Sequence, residues 1–146
     1  MSTEENKAVV RRWFEAFNKG KEAAMAAVDE LFAPTYVGHG TGVVPDVDRA
    51  GAKQMAQAYF TAFPDLHLAV EDLIAEGDKV VVRATISGTH QGDFMGMPPT
   101  GTQVSFTATA IDRFEAGKFV ESWGDVDMLG FLQQLGAIPQ MAQTGA

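Results

Sequence analysis

The chain of 146 residues contains no cysteine. Disulfides, thiolate metal sites and cysteine nucleophiles are thereby excluded, and a cytoplasmic protein is expected. Positive charge is scarce. Eleven Lys and Arg stand against 19 Asp and Glu, a formal net charge of −8. Such a surface repels phosphate backbones, so no nucleic-acid partner is expected. No apolar run approaches the roughly 18 residues of a membrane span. The start, "MSTEENKAVV", lacks the apolar stretch of a secretion signal, so a soluble chain without a membrane partner is expected. Histidine occurs only three times. His39, His67 and His90 form no HxH or HxxxH pair, which argues against a metal site. The glycines of "GTHQGDFMGMPPTG" (88–101) neither open a helix nor precede a Lys-Ser/Thr pair, which argues against a phosphate loop.

What the chain does have is an ordinary globular balance, 46% hydrophobic and 21% charged, in a length suited to one domain, residues 1–146. Helical spacing of Val9, Val10, Trp13, Phe14 and Phe17 predicts a helix over 4–18, ended near Gly20. A second helix is expected over 21–32, stopped before Pro34. "APTYVGHGTGVVPDVD" then reads as a loop carrying Tyr36 and His39. Asp48 is a suitable N-cap for a third helix over 49–63, with Met55, Ala58, Tyr59 and Ala62 on one face.

After "FPD" the period changes to two. Leu66, Leu68 and Val70 share one face of a short strand, with His67 opposite. "AEGDK" marks a hairpin into a strand over 79–90, whose Val80, Val82, Ala84, Ile86 and Gly88 are in phase with His90. A strand over 103–114 puts Val104, Phe106, Ala108 and Ala110 on one face. Thr107, Thr109 and Ile111 lie on the other. "EAGK" turns into a last strand over 119–125. Asp127 caps a short helix over 128–135, and residues 139–146 read as a frayed tail. Three helices followed by antiparallel strands is an α+β pattern.

Four stretches carry a resemblance: "FEAFNKG", "FPDL", "AEGDKVVVRATISGTHQGDFMGMPPTG" and "GKFVESW" with "LGFLQQLG". In that order and spacing the chain resembles the SnoaL-like polyketide cyclase family of the nuclear-transport-factor-2-like (NTF2-like) superfamily, from about residue 5 to residue 138. The resemblance implies a cone-shaped barrel, a curved antiparallel sheet wrapped over three N-terminal helices, with a short C-terminal helix. It implies a deep apolar cavity and a homodimer through the outer sheet face. It also implies acid–base chemistry without metal or organic cofactor: a cyclase-like lyase or isomerase acting on a bulky carbonyl compound. In that family an aspartate on the last strand exchanges a proton with substrate. By count this aspartate falls on Gly124 here, and its histidine partner falls on Ala110. Asp125 is one residue later and points to the opposite face unless a bulge turns it inward.

The candidate proton-transfer residues are therefore His39, His90 and Asp125. His90, in phase with an apolar face, can serve as a base or be held structurally by loop backbone. Asp112 shares the phase of Ala108 and Ala110, although its closeness to a turn also allows a solvent-facing reading. Candidate ligand-binding residues are Phe17, Tyr36, Phe60, Phe63, Phe94, Met97, Phe106, Ala108, Ala110, Trp123 and Gly124, an apolar wall for a hydrophobic small molecule. "DFMGMPP" is expected to fold over the cavity mouth, with Phe94 and Met97 as wall or lid. The alternatives are a non-catalytic binding protein with the same cavity and a hydrolase or dehydratase of the same fold.

Overall fold

The computed structural model describes residues 2–40 and 45–139. Residues 41–44 of the expected loop, and the expected frayed tail from 140 onward, lie outside the described residues. The order is α1 (Thr3–Lys19), α2 (Lys21–Leu31), β1 (Phe32–His39), α3 (Arg49–Ala62), β2 (His67–Glu76), β3 (Lys79–Thr89), β4 (Gln103–Glu115), β5 (Lys118–Val126) and α4 (Met128–Gln134). The five strands form one sheet in the order β1-β5-β4-β3-β2.

Local chemistry sets the element boundaries. Ser2 caps α1 by accepting from the Glu5 N–H at 3.1 Å, and Asp48 caps α3 by accepting from the Gly51 N–H at 2.8 Å. Gly20 separates α1 from α2 at φ +119°, a conformation strained for any residue with a side chain. The Asn18 amide gives and takes a hydrogen bond with the Leu68 backbone, both at 2.8 Å, and so ties α1 to the edge strand β2. The β4–β5 turn uses Ala116 and Gly117, both at positive φ, as a tight two-residue hairpin requires.

Two expectations about the sheet are corrected. The segment read as a loop around Tyr36 and His39 is strand β1 as far as His39, and it runs parallel to β5. The sheet is therefore mixed rather than antiparallel. The first strand of the hairpin also extends to Glu76, beyond a register shift between Val70 and Asp72. That shift breaks the period-two pattern and conceals the second half of the strand.

The helices pack on one face of the curved sheet. One buried cluster gathers Phe17, Phe60, Phe63, Phe94, Phe106 and Phe131. A second gathers Val10, Val28, Phe32, Tyr36, Val82, Phe114 and Phe119. Trp13 touches both and meets Phe17 edge-on at 4.5 Å. The buried face of α3 is rotated from the expected one. Ala56 and Phe60 are buried, whereas Met55 and Ala58 are exposed. Seating Phe60, and Phe63 at the C-cap, removes more apolar surface from water than seating Met55.

Candidate active site

Strand phase decides which side chains can meet. Across β4 and β5, Ala110 pairs with Gly124 and Asp112 pairs with Ser122. These four project to the helix-covered face, in phase with buried Phe106. Thr109 pairs with Asp125, Ile111 with Trp123 and Arg113 with Glu121, all on the opposite face. The register shift of this pair lies between Arg113 and Phe114, so no bulge turns Asp125 inward.

Asp112 is the inner-face carboxylate, and it is only 7% exposed. The Ser122 hydroxyl donates to its Oδ1 at 2.6 Å. Burial pushes the Asp112 carboxyl up to about 6 against the weaker, opposing effect of the Ser122 hydrogen bond. Tyr36 comes from β1, and its phenol is raised chiefly by burial, with the Ser122 hydroxyl opposing this and the Asp112 charge adding to it. Gly38 pairs with Ser122 in the β1–β5 register. A Cβ on Gly38 would lie 3.0 Å from the Tyr36 hydroxyl oxygen. Glycine at that point lets the phenol lie along its own strand.

The next row, Ala110 and Gly124, offers no polar side chain and leaves space. A Cβ on Gly124 would find nothing closer than the Ala110 Cβ at 3.9 Å. Gly124 is exposed, and Ala108 and Ala110 are partly so. The Asp112–Ser122–Tyr36 row thus sits beneath an open row of small residues, roughly 7 Å deeper along the strands.

The three expected proton-transfer residues are not brought together. Asp125 is exposed on the outer face. His39 is on that face as well. It stacks on Trp123 at 5.0 Å, and its Nε2 lies 2.6 Å from Glu121 Oε2. Arg113 Nε donates to the other oxygen of Glu121 at 2.8 Å. Together these partners hold the Glu121 carboxyl below its usual range, with Arg113 the larger influence. Trp123, expected on the cavity wall, is therefore an outer-face residue, because it alternates with Gly124. His90 is fully buried, and its Nδ1 accepts from the Thr100 N–H at 3.3 Å with Thr100 Oγ1 at 3.0 Å. The histidine is bonded within its loop through Thr100, not through the "GDFMG" backbone.

The other wall residues do assemble. Phe17, Phe60, Phe63, Phe94 and Phe106 share one buried cluster, with Met97 packed against it. Phe94 meets Phe131 at 5.4 Å and at right angles. The "FMGM" tip is a tight turn bridged between Phe94 and Met97. Its loop is fixed to α3, where the Gln91 and Gly92 N–H groups both donate to the Ala62 carbonyl. A polar recess of about 490 Å³ lies between the ends of β3 and β4 and Gln134, with Asp65 on its rim. It does not include Asp112. Among the described residues, no group of three His, Asp or Glu is placed to hold a metal ion, and no helix is long and apolar enough to cross a membrane.

No functionally curated protein matches the chain. Among solved structures it is similar to AclR of Streptomyces galilaeus, described as a candidate hydroxylase. The identity is 33% over 97% of this chain and 87% of that one, with a TM-score of 0.85. It is also similar to a candidate SnoaL-like polyketide cyclase of Jannaschia sp. CCS1, at 26% identity over 94% and 95% of the two chains and a TM-score of 0.84. A third is IdmH of Streptomyces antibioticus, a candidate polyketide cyclase, at 33% identity over 90% and 98% and a TM-score of 0.76. The architecture is the NTF2-like α+β fold of these cyclases. The family description "SnoaL-like polyketide cyclase" matches residues 7–135, and the chain belongs to that family.

Proposed function

We propose that this protein is a cofactor-independent acid–base enzyme of the cyclase type, acting on a bulky, largely apolar carbonyl compound. The substrate lies in an apolar cavity between the helices and the inner sheet face. Asp112 removes a proton from the carbon next to the carbonyl. The observation that supports this reading is a buried carboxyl raised to about 6 beneath the open Ala110–Gly124 row. A base poised near neutral pH suits such a transfer. Ala110 and Gly124 then serve as space for the substrate.

Deuterium uptake from D₂O at the α-carbon of a bicyclic aryl ketone such as α-tetralone tests the proposal, read by mass spectrometry. Wild-type protein is expected to accelerate uptake, and Asp112→Asn to lose the acceleration. A second reading, a non-catalytic carrier, draws on the missing side chain at Gly124. It is favoured if a hydrophobic molecule co-purifies with the protein while the ketone exchanges no faster than in buffer.

We also propose a homodimer through the outer sheet face. Ile74, Val81, Ile111, Trp123 and His39 pair in register across all five strands. Ile74 is 63% exposed, Ile111 39% and Trp123 37%. A continuous apolar row of this kind fits a self-complementary interface between two copies.

A further inference from the structure

We infer that the buried Nε2–H of His90 anchors a second ligand site, one that takes an aryl ketone by its carbonyl oxygen. The site is separate from the Asp112 row and does not rest on the acid–base reading. Val80 pairs with Asp112, and His90 follows the other end of β3, about 33 Å further along the chain at 3.3 Å per residue.

The ring's partners fix where its hydrogen sits. The Thr100 N–H can only donate, and it donates to His90 Nδ1 at 3.3 Å. Nδ1 therefore presents a lone pair. The Thr100 hydroxyl oxygen, 3.0 Å from the same nitrogen, accepts from the Thr102 N–H at 3.3 Å, and its own hydrogen is left for Nδ1. The imidazole is thus neutral, with its one ring hydrogen on Nε2. That N–H has no acceptor among the described residues, and the side chain is completely buried. A donor held away from water without an acceptor is costly. A ligand oxygen that reaches it recovers the cost.

The neighbours of the ring are aromatic. Phe63 lies 5.7 Å from His90, 5.9 Å from Phe94 and 5.8 Å from Phe131, ring centre to ring centre. All three phenylalanines are buried, and Phe94 is the one that can leave. Its tip is closed on itself by two backbone bonds between Phe94 and Met97, at 3.0 and 2.9 Å. Among the described residues, 93–99 makes no backbone hydrogen bond to a helix or to the sheet. The tip is held by the burial of Phe94 and Met97, while Met95 between them is 72% exposed.

The base of the loop is fixed by contrast. The His90 N–H donates to the Thr102 carbonyl at 2.9 Å, and the Gly101 N–H donates to the His90 carbonyl at 2.8 Å. The tip can therefore lift while His90 keeps its orientation. An aryl ring seated against Phe63 replaces the apolar contacts of Phe94 and adds a hydrogen bond that phenylalanine cannot make. Phe94 holds the ligand's place.

NMR of the ¹⁵N-histidine-labelled protein tests the site, with α-tetralone as probe and tetralin, which lacks the oxygen, as control. Nε2 is expected to bear the hydrogen before any addition, and a hydrogen on Nδ1 overturns the inference. α-Tetralone is expected to shift the Nε2–H resonance, and tetralin to leave it in place. His90→Leu is expected to weaken the ketone on the order of tenfold relative to tetralin. If that variant fails to fold, the wild-type shift decides alone. Phe94→Ala is expected to tighten ketone binding, and an unchanged or lower affinity overturns the inference. A water cross-peak on Nε2–H that survives saturation with ketone overturns it too. α-Proton exchange through Asp112 with no change at His90 removes this site and leaves the acid–base reading. A His90 shift without exchange does the reverse.

Discussion

Asp112 and Ser122 face each other across β4 and β5, joined by a 2.6 Å hydrogen bond, on the one side of the sheet that the helices cover. The pair places a carboxyl where water is scarce, and its stability consequences follow directly.

Asp112 destabilises the fold at neutral pH. Its folded value of about 6 lies above the ordinary 3.8, so between these values the unfolded chain releases the proton first. Stability therefore falls as pH rises through this window and levels off above it. The size is about 3 kcal/mol at 1.36 kcal/mol per pH unit. Asp112→Asn removes the dependence. Urea denaturation at pH 4 and pH 8 should show the variant gaining about that much on wild type at the higher pH, and a gain independent of pH contradicts the burial argument.

Gly124→Asp adds a carboxylate to the open inner-face row beside Ala110. The site is exposed, with 3.9 Å to the nearest Cβ, so the fold should lose no more than about 1 kcal/mol, the span of strand preference. The added charge lies one row from Asp112 and should raise its pKa further. Thermal denaturation and NMR titration check both parts.

Gly92→Ala should be far more costly. A Cβ there would sit 2.1 Å from the Thr61 carbonyl oxygen, backbone that cannot rotate away. Overpacking of this kind costs about 1–3 kcal/mol. The loop bearing Phe94 should lift from α3, seen as new protease cleavage between residues 91 and 101 in the otherwise folded protein.

Ile111→Asp puts a charge in the middle of the outer apolar row. Sedimentation equilibrium should show a wild-type dimer at micromolar concentration and a monomeric variant with unchanged circular dichroism. A wild-type monomer removes the proposed interface.

The helices, both hairpins and the family were legible in the sequence because their signals are local: caps, turn glycines and period. Strand β1 was not. Its segment holds Pro34 and Gly38, and its partner β5 begins at Lys118, 84 residues beyond Pro34, a pairing that no local pattern reveals. Losing β1 also lost its phase, which sends His39 outward and Tyr36 inward. Asp112 was in the correct phase throughout. Its closeness to a turn suggested solvent, but Tyr36 from the unseen strand lies in the same buried row. Trp123 was misplaced for a simpler reason: an aromatic adjacent to Gly124 on a strand cannot share its face.

The most direct measurement is the pH dependence of α-proton exchange in wild type, Asp112→Asn and Asp125→Asn. Wild type should gain rate as pH rises through about 6, where Asp112 ionises. Asp125→Asn should keep that profile, and Asp112→Asn should show none. An active Asp112→Asn protein with an inert Asp125→Asn would contradict the account.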